Sequence, residues 1–253
     1  MNNTYRSTLK EPTNLSLPCE IVTILEKDAY YFRFIKHGEP NINGFLNFLI
    51  PILSDYQDNL HSKVLEYHNG DREKAREIEQ TIHDVYNAPF DCRYDGVTTV
   101  PFRVNKSSYE HFLKIHDSKL RYYNTSFLAY IRRLLTEYAT KAIDQREYIV
   151  HFREMKVLED AIINGVNCIF RCHEEVIEFV PVVYELSPNN RRVIIAGLTY
   201  DKETIIVLKL SSVICITQGE EKIEVTDRDI SAVCDTVFQY FQKEEEEEGI
   251  CMA

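Results

Sequence analysis

The sequence carries a copy of part of itself. Asn43-Gly-Phe-Leu-Asn-Phe-Leu-Ile-Pro-Ile-Leu-Ser-Asp-Tyr56 aligns without a gap on Thr125-Ser-Phe-Leu-Ala-Tyr-Ile-Arg-Arg-Leu-Leu-Thr-Glu-Tyr138, at an offset of 82. In each copy the apolar residues (Phe45, Leu46, Leu49, Ile52, Leu53 and Tyr56; Phe127, Leu128, Ile131, Leu134, Leu135 and Tyr138) recur at helical spacing, so each run is one face of a helix that needs a partner. Asn43 in the first copy and Asn124 or Thr125 in the second are the expected helix caps, with side-chain oxygens suited to accept from a free backbone N–H.

A second match lies upstream at an offset of 87, where Leu15-Ser-Leu-Pro18 aligns with Phe102-Arg-Val-Asn105. The difference of five is read as a longer loop, His37-Gly-Glu-Pro-Asn41, in the first copy. Short helices between these matches place Val22 and Leu25 opposite Tyr109 and Phe112. Each copy is therefore strand, short helix, longer helix. The strand pieces alternate, with Leu15 and Leu17, or Val100, Phe102 and Val104, on one face, and Asn14 and Ser16, or Thr99 and Arg103, on the other. Leu15–Leu17 and Val100–Val104 are expected to pair antiparallel within one chain, since strands so short cannot stand alone.

This order of elements resembles the ribbon-helix-helix family over residues 12–68 and 97–142, with 69–96 as a charged helical connector. The resemblance implies a pseudo-dimer closed within one polypeptide, its two-stranded ribbon facing a nucleic acid and its second-helix N-termini holding phosphates. The residues it nominates are Asn14, Ser16, Thr99, Arg103, Lys106, Arg121, Asn124 and Thr125. The residues alone also fit an ordinary helical core made by duplication. Arg132 and Arg133 read equally as further polyanion contacts or as solvated helix residues.

From residue 145 the pattern changes. Gln145 to Asn164 reads as helical and ends at Gly165. Five strand-like runs follow, Val166–Arg171, Val176–Tyr184, Arg192–Thr199, Thr204–Leu210 and Val213–Thr217, and a last helix covers Asp227–Phe241. Runs so short and closely spaced imply a small barrel. Gln145-Arg-Glu, Leu158-Glu-Asp-Ala-Ile, Pro181 and Arg192-Val-Ile-Ile-Ala-Gly resemble the WYL domain, an Sm/SH3-like β-barrel common in bacterial regulators. Where that family carries Trp-Tyr-Leu this chain has Val193-Ile194-Ile195, and where it has Arg before an apolar residue the chain has Ser212-Val213. The resemblance therefore implies the fold more than the family's nucleotide or nucleic-acid pocket. Arg171, Arg191 and Arg192 are the candidates to replace the missing charge, or are surface arginines flanking a turn. The expected class is α+β, with 12–142 as the duplicated domain, 145–243 as the barrel, and 244–253 as a solvated acidic tail.

Charge is segregated. Residues 1–150 carry 19 Lys+Arg against 20 Asp+Glu, whereas residues 151–253 carry 10 against 20, so the net −11 belongs almost wholly to the second part. Within Thr98–Arg146 there are 9 basic and 4 acidic residues, which makes residues 98–146 the place to seek a polyanion. The seven cysteines are scattered, without a Cys-x-x-Cys pair, and read as reduced thiols of a cytoplasmic protein. Cys168 and Cys172 share a strand face and are expected in packing. Phosphate-loop, zincin and nucleophile-elbow motifs are absent and the eight histidines are isolated, so neither an enzyme nor a cofactor or metal is expected. The expected function is nucleic-acid-binding regulation, as a transcription regulator or as an accessory of an RNA-targeting CRISPR effector. The partner would be DNA or single-stranded RNA, with the barrel free for a protein partner or a second copy.

Overall fold

The computed structural model describes residues 12–87, 96–123, 126–173, 175–188 and 192–251. It is an α+β protein of two compact units, residues 1–142 and 143–253. In the first unit, strand β1 (Thr13–Pro18) is followed by helix α1 (Cys19–Tyr31), a hairpin of β2 (Ile35–Lys36) and β3 (Glu39–Pro40), and helices α2 (Ile42–Tyr67) and α3 (Arg72–Asn87). Then come β4 (Val97–Phe102), α4 (Tyr109–Tyr123) and α5 (Phe127–Ala139). Strand, helix, helix thus occurs twice, as β1-α1-α2 and β4-α4-α5.

β1 and β4 pair antiparallel, with Thr13 opposite Phe102, Leu15 opposite Val100 and Leu17 opposite Thr98. The offset of 87 makes Leu15 equivalent to Phe102 and Thr13 equivalent to Val100. The register therefore maps onto itself when the copies are exchanged, with the pseudo-two-fold centred on the Asn14–Pro101 pair. Leu15, Leu17, Val100 and Phe102 are buried beneath the pair, against the helices. Proline at position 101 is tolerated because both strands are edges.

Several local expectations are corrected. β4 ends at Phe102, so Arg103 and Val104 lie past the strand. The cap of α2 is Asn41, whose Oδ1 accepts from Gly44 N–H at 3.0 Å, and that of α5 is Ser126, accepting from Ala129 N–H at 3.3 Å. Asn43 is already inside the helix. The extra length in the first copy is the hairpin β2–β3, its two turn residues His37 and Gly38 both at positive φ (54° and 85°), the twist that suits a two-residue connection. The connector helix α3 is not simply exposed: Ala75 and Glu79 are buried where it packs on α2 and α5, and Glu79 meets His61 Nδ1.

The second unit begins with α6 (Ile143–Val150) and α7 (Phe152–Asn164), separated at His151. Gly165 ends α7 at φ 62°, and a Cβ there would sit 2.8 Å from the Ile223 carbonyl oxygen. Strands β5 (Val166–Cys172), β6 (Val176–Leu186), β7 (Val193–Leu198), β8 (Ile205–Lys209) and β9 (Val213–Lys222) form one antiparallel sheet in the order β8-β7-β6-β5-β9. The expected barrel is not closed, since β8 and β9 are its two edges. The sheet is nonetheless strongly curled. Lys209 ends one edge and Val213 begins the other across the short turn Leu210–Ser212, a reach of at most about 14 Å. A flat five-stranded sheet would hold its edges about 19 Å apart. Closure is unnecessary because α7 fills the concave side, packing Met155, Leu158 and Ala161 against Cys168, Phe170, Phe179 and Ile195.

Helix α8 (Asp227–Cys251) covers the other face of β7, placing Val233 and Val237 on Ala196 and Leu198. Covered on both faces, β7 is buried at all six residues. α8 continues through Glu244–Glu248, where a solvated tail was expected. Glutamate is a good helix former, and extending an existing helix avoids the cost of nucleation.

Candidate nucleic-acid interface

The outward face of the β1–β4 pair presents Asn14, Ser16, Thr99 and Pro101, all exposed and none charged. Asn14 lies opposite Pro101 and Ser16 opposite Thr99. These side chains can hydrogen-bond but cannot neutralise a phosphate. The first cation is Arg103, one residue beyond β4 and exposed. Its pseudo-two-fold equivalent is Ser16, so among the described residues the face has a cation at one end only.

Arg103 is held through its own backbone by two asparagine side chains. Asn43 Oδ1 accepts from Arg103 N–H at 2.8 Å, Asn47 Nδ2 donates to the Arg103 carbonyl at 2.9 Å, and Asn47 Oδ1 accepts from Asn105 N–H at 2.7 Å. The buried Asn47 thus pins both sides of the segment that carries Arg103 and the exposed Lys106 across the first turns of α2. Sequence reading missed this clamp. Its signal was an asparagine between Leu46 and Phe48 on an apolar helix face, where the second copy has Ala129.

The other nominated residues divide. Arg121 belongs to α4. Asn124 and Thr125 lie outside the described residues. Arg132 is exposed on α5, but Arg133 turns inward, with Nε 3.6 Å from Glu137 Oε1 and its guanidinium 5.4 Å over the Tyr130 ring. Gln57 Nε2 donates to Glu137 Oε2 at 2.9 Å and Tyr130 OH donates to Gln57 Oε1 at 3.1 Å. Burial pushes the Tyr130 hydroxyl up to about 12. Tyr138 OH donates to Asp28 Oδ2 at 2.8 Å, tying α5 to α1. Arg133 is therefore part of the polar core that fastens α5 to α2, not a surface contact.

In the second unit, Arg171 is exposed on β5 between Val176 of β6 and Cys215 of β9. Arg192, partly buried, precedes β7 and accepts from Ser187 N–H at its carbonyl, and Arg191 is outside the described residues. Val193, Ile194 and Ile195 are all buried, and Ser212 Oγ donates to the Lys209 carbonyl at 2.7 Å. Glu147, fully buried, accepts from Val193 N–H at 2.9 Å, fixing the start of β7. Cys168 and Cys172 face the core as expected, and burial pushes the Cys168 thiol up to about 11, far from a reactive thiolate. Among the described residues no group of His, Cys, Asp and Glu is placed to hold a metal ion, and no helix is long and apolar enough to cross a membrane.

No protein-family model matches the sequence, and no curated protein does. Among solved structures the fold is similar to that of a CRISPR Cas-related protein, with a TM-score of 0.59 at 13% identity over 87% of this chain. This chain spans 65% of the length of that protein, and at such an identity the likeness is one of fold.

Proposed function

We propose that the protein is a non-catalytic, nucleic-acid-binding regulatory protein. In this reading the first unit is an intramolecular pair of ribbon-helix-helix-like units and the second a degenerate, open WYL-like barrel that acts by packing. The observation that carries it is the segment Arg103–Lys106, whose two cations are held at the end of the β1–β4 pair by the Asn43 and Asn47 clamp. A prepositioned cation loses less freedom on meeting a phosphate than one on a loose loop. The second unit, with 10 basic and 20 acidic residues in 151–253, is the wrong sign for a polyanion.

The test is a fluorescence titration of the full chain with duplex DNA and single-stranded RNA across salt. With few cations engaged, the log–log slope should be shallow, roughly −3 to −5. Arg103→Ala with Lys106→Ala should weaken both ligands, and unchanged binding would leave protein association as the function. The second unit should bind nucleotides weakly or not at all, which calorimetry on the full chain checks. Micromolar binding would reverse that part.

A second reading, an accessory to an RNA-targeting CRISPR effector, is favoured by the fold likeness to a CRISPR Cas-related protein and by the uncharged face of the β1–β4 pair, which offers little to a DNA major groove. An operator palindrome bound specifically would support transcription regulation instead.

A further inference from the structure

The two copies are least alike at the start of their second helices. The offset of 82 makes Phe48 equivalent to Tyr130, yet Tyr130 is 1% exposed and tied to Gln57, whereas Phe48 is 39% exposed. Asn47, which clamps the Arg103 segment, is equivalent to Ala129, which has no amide to do so. Among the described residues the hairpin β2–β3 occurs only in the first copy.

These differences converge on one surface. The Phe48 ring lies 5.0 Å from that of Phe34, tilted by 40°, and Phe34, which enters the hairpin, lies 5.3 Å from the buried Phe45, so the exposed ring is backed by an aromatic cluster that reaches the core. The segment that Phe34 enters exposes Arg33, Ile35, Lys36 and His37, with Glu39 opposite Lys36 as its one carboxylate. Asn47, next to Phe48, holds the Arg103–Lys106 segment on the adjoining helix face.

The backbone adds an independent observation. Arg33 is at φ 64° and His37 at φ 54°, a conformation that favours glycine or asparagine. Phe34 N–H bonds to the Ala29 carbonyl and Arg33 N–H to the Tyr30 carbonyl, which makes Arg33 the left-handed residue ending α1, a position glycine usually fills. Arg33 is thus kept where the local backbone prefers glycine, the pattern of a residue chosen for what its side chain meets.

We propose that the hairpin β2–β3 and the first turns of α2 form a binding site for single-stranded nucleic acid, with an unpaired base stacking on Phe48 and its flanking phosphates meeting Arg33 and Lys36 on one side and Arg103 and Lys106 on the other. This rests on the reading of Arg103 and Lys106 as phosphate contacts, and adds the strandedness of the ligand. Bases within a duplex are already stacked and offer no free face, while every unpaired base has one.

The test is fluorescence anisotropy of the full chain with labelled oligouridylate of about 16 nucleotides and a duplex of equal length. Phe48→Leu keeps an apolar contact for Phe34 and removes the ring; Phe48→Trp keeps a stacking face. Phe48→Leu should weaken oligouridylate binding about five- to tenfold, leaving duplex binding and the salt slope unchanged because no charge is removed. Phe48→Trp should bind oligouridylate at least as tightly as the parent chain. If Phe48→Leu binds oligouridylate like the parent while Arg103→Ala with Lys106→Ala does not, the phosphate reading stands and the stacking site falls. Equal loss on duplex and single strand by Phe48→Leu, or failure of Phe48→Trp to bind, also overturns it. If the parent chain binds neither ligand, both readings fail together.

Discussion

Asn47 is the residue on which the position of Arg103 depends, and its removal has a cost that follows from the structure. The side chain is 3% exposed and makes three hydrogen bonds: Nδ2 to the Asn43 carbonyl at 2.8 Å, Nδ2 to the Arg103 carbonyl at 2.9 Å, and Oδ1 from Asn105 N–H at 2.7 Å. The Asn43 carbonyl keeps its place in the helical ladder, so the loss falls on the other two. At about 1 kcal/mol net for each, with a further penalty where a backbone group is left shielded from water, Asn47→Ala should cost about 2–3 kcal/mol. In a unit of this size that lowers the melting temperature by roughly 6–10 °C. Asn47→Asp should be worse than alanine at neutral pH. It still accepts from Asn105 but aims a charged oxygen at the carbonyls of Asn43 and Arg103, where the amide had donated.

Thermal unfolding followed by circular dichroism measures the first effect, and oligonucleotide titration well below the melting temperature measures the second. Asn47→Ala changes no charge, so weaker binding by that variant would report release of the Arg103–Lys106 segment. A melting temperature for Asn47→Ala within about 2 °C of the parent, or Asn47→Asp no less stable than Asn47→Ala, would refute the clamp.

Three other outcomes are expected. His151 is buried, and desolvation lowers its imidazole from 6.5 to about 4. The unfolded chain therefore binds the extra proton first, so stability is full above about pH 6.5 and falls as pH drops towards 4, by about 3 kcal/mol in all. His151→Asn should flatten the melting temperature over that window, and an unchanged slope would exclude His151 as its source. Arg33→Gly should stabilise the first unit by about 1 kcal/mol, seen in denaturant titration, while weakening oligouridylate binding; lower stability would refute the backbone argument. Gly165→Ala should destabilise the second unit by about 1–2 kcal/mol, because φ is 62° and the new methyl carbon would stand 2.8 Å from the Ile223 carbonyl oxygen. A stability equal to the parent's in denaturant unfolding would show that the turn relaxes.

What the sequence exposed was whatever recurs with a period. The helical spacing of Phe45 to Tyr56 and Phe127 to Tyr138 located α2 and α5, and alternation in Leu15–Leu17 and Val100–Phe102 located two strands more than eighty residues apart that do pair. Both signals are properties of a buried face, which the chain must write into residue order. The hairpin at Ile35–Pro40 was read as a loop because two-residue strands are too short to alternate. Barrel closure was equally illegible. Five short strands specify a sheet and its neighbours, but whether the edges meet depends on what else covers the concave face, here Met155, Leu158 and Ala161 of α7. The site was partly legible. Arg103 was named from its strand face, while the caps fell two residues and one residue from Asn43 and Thr125, and the clamp came from asparagines whose partners lie 56 to 60 residues away.

Two strand-helix-helix arrangements in one chain allow what is seen among the described residues, a cation at one end only of a pseudo-symmetric pair. A two-fold built from two identical chains must place any substitution twice, whereas fused copies vary separately. The β1–β4 register still maps one copy onto the other, and the buried Leu15 of the first copy stands where the second has the buried Phe102. It is lost at other positions: Ser16 is the equivalent of Arg103, Tyr130 is packed where Phe48 is exposed, and Ala129 stands where Asn47 clamps. In the second copy the equivalent positions serve the core, through Tyr130, Arg133 and Glu137 and their hold on Gln57. In the proposed site one copy supplies the helix start, the aromatic face and the hairpin with Arg33 and Lys36, and the other supplies Arg103 and Lys106. Neither could form the proposed site alone, which gives the intramolecular pair a role beyond burying its strands.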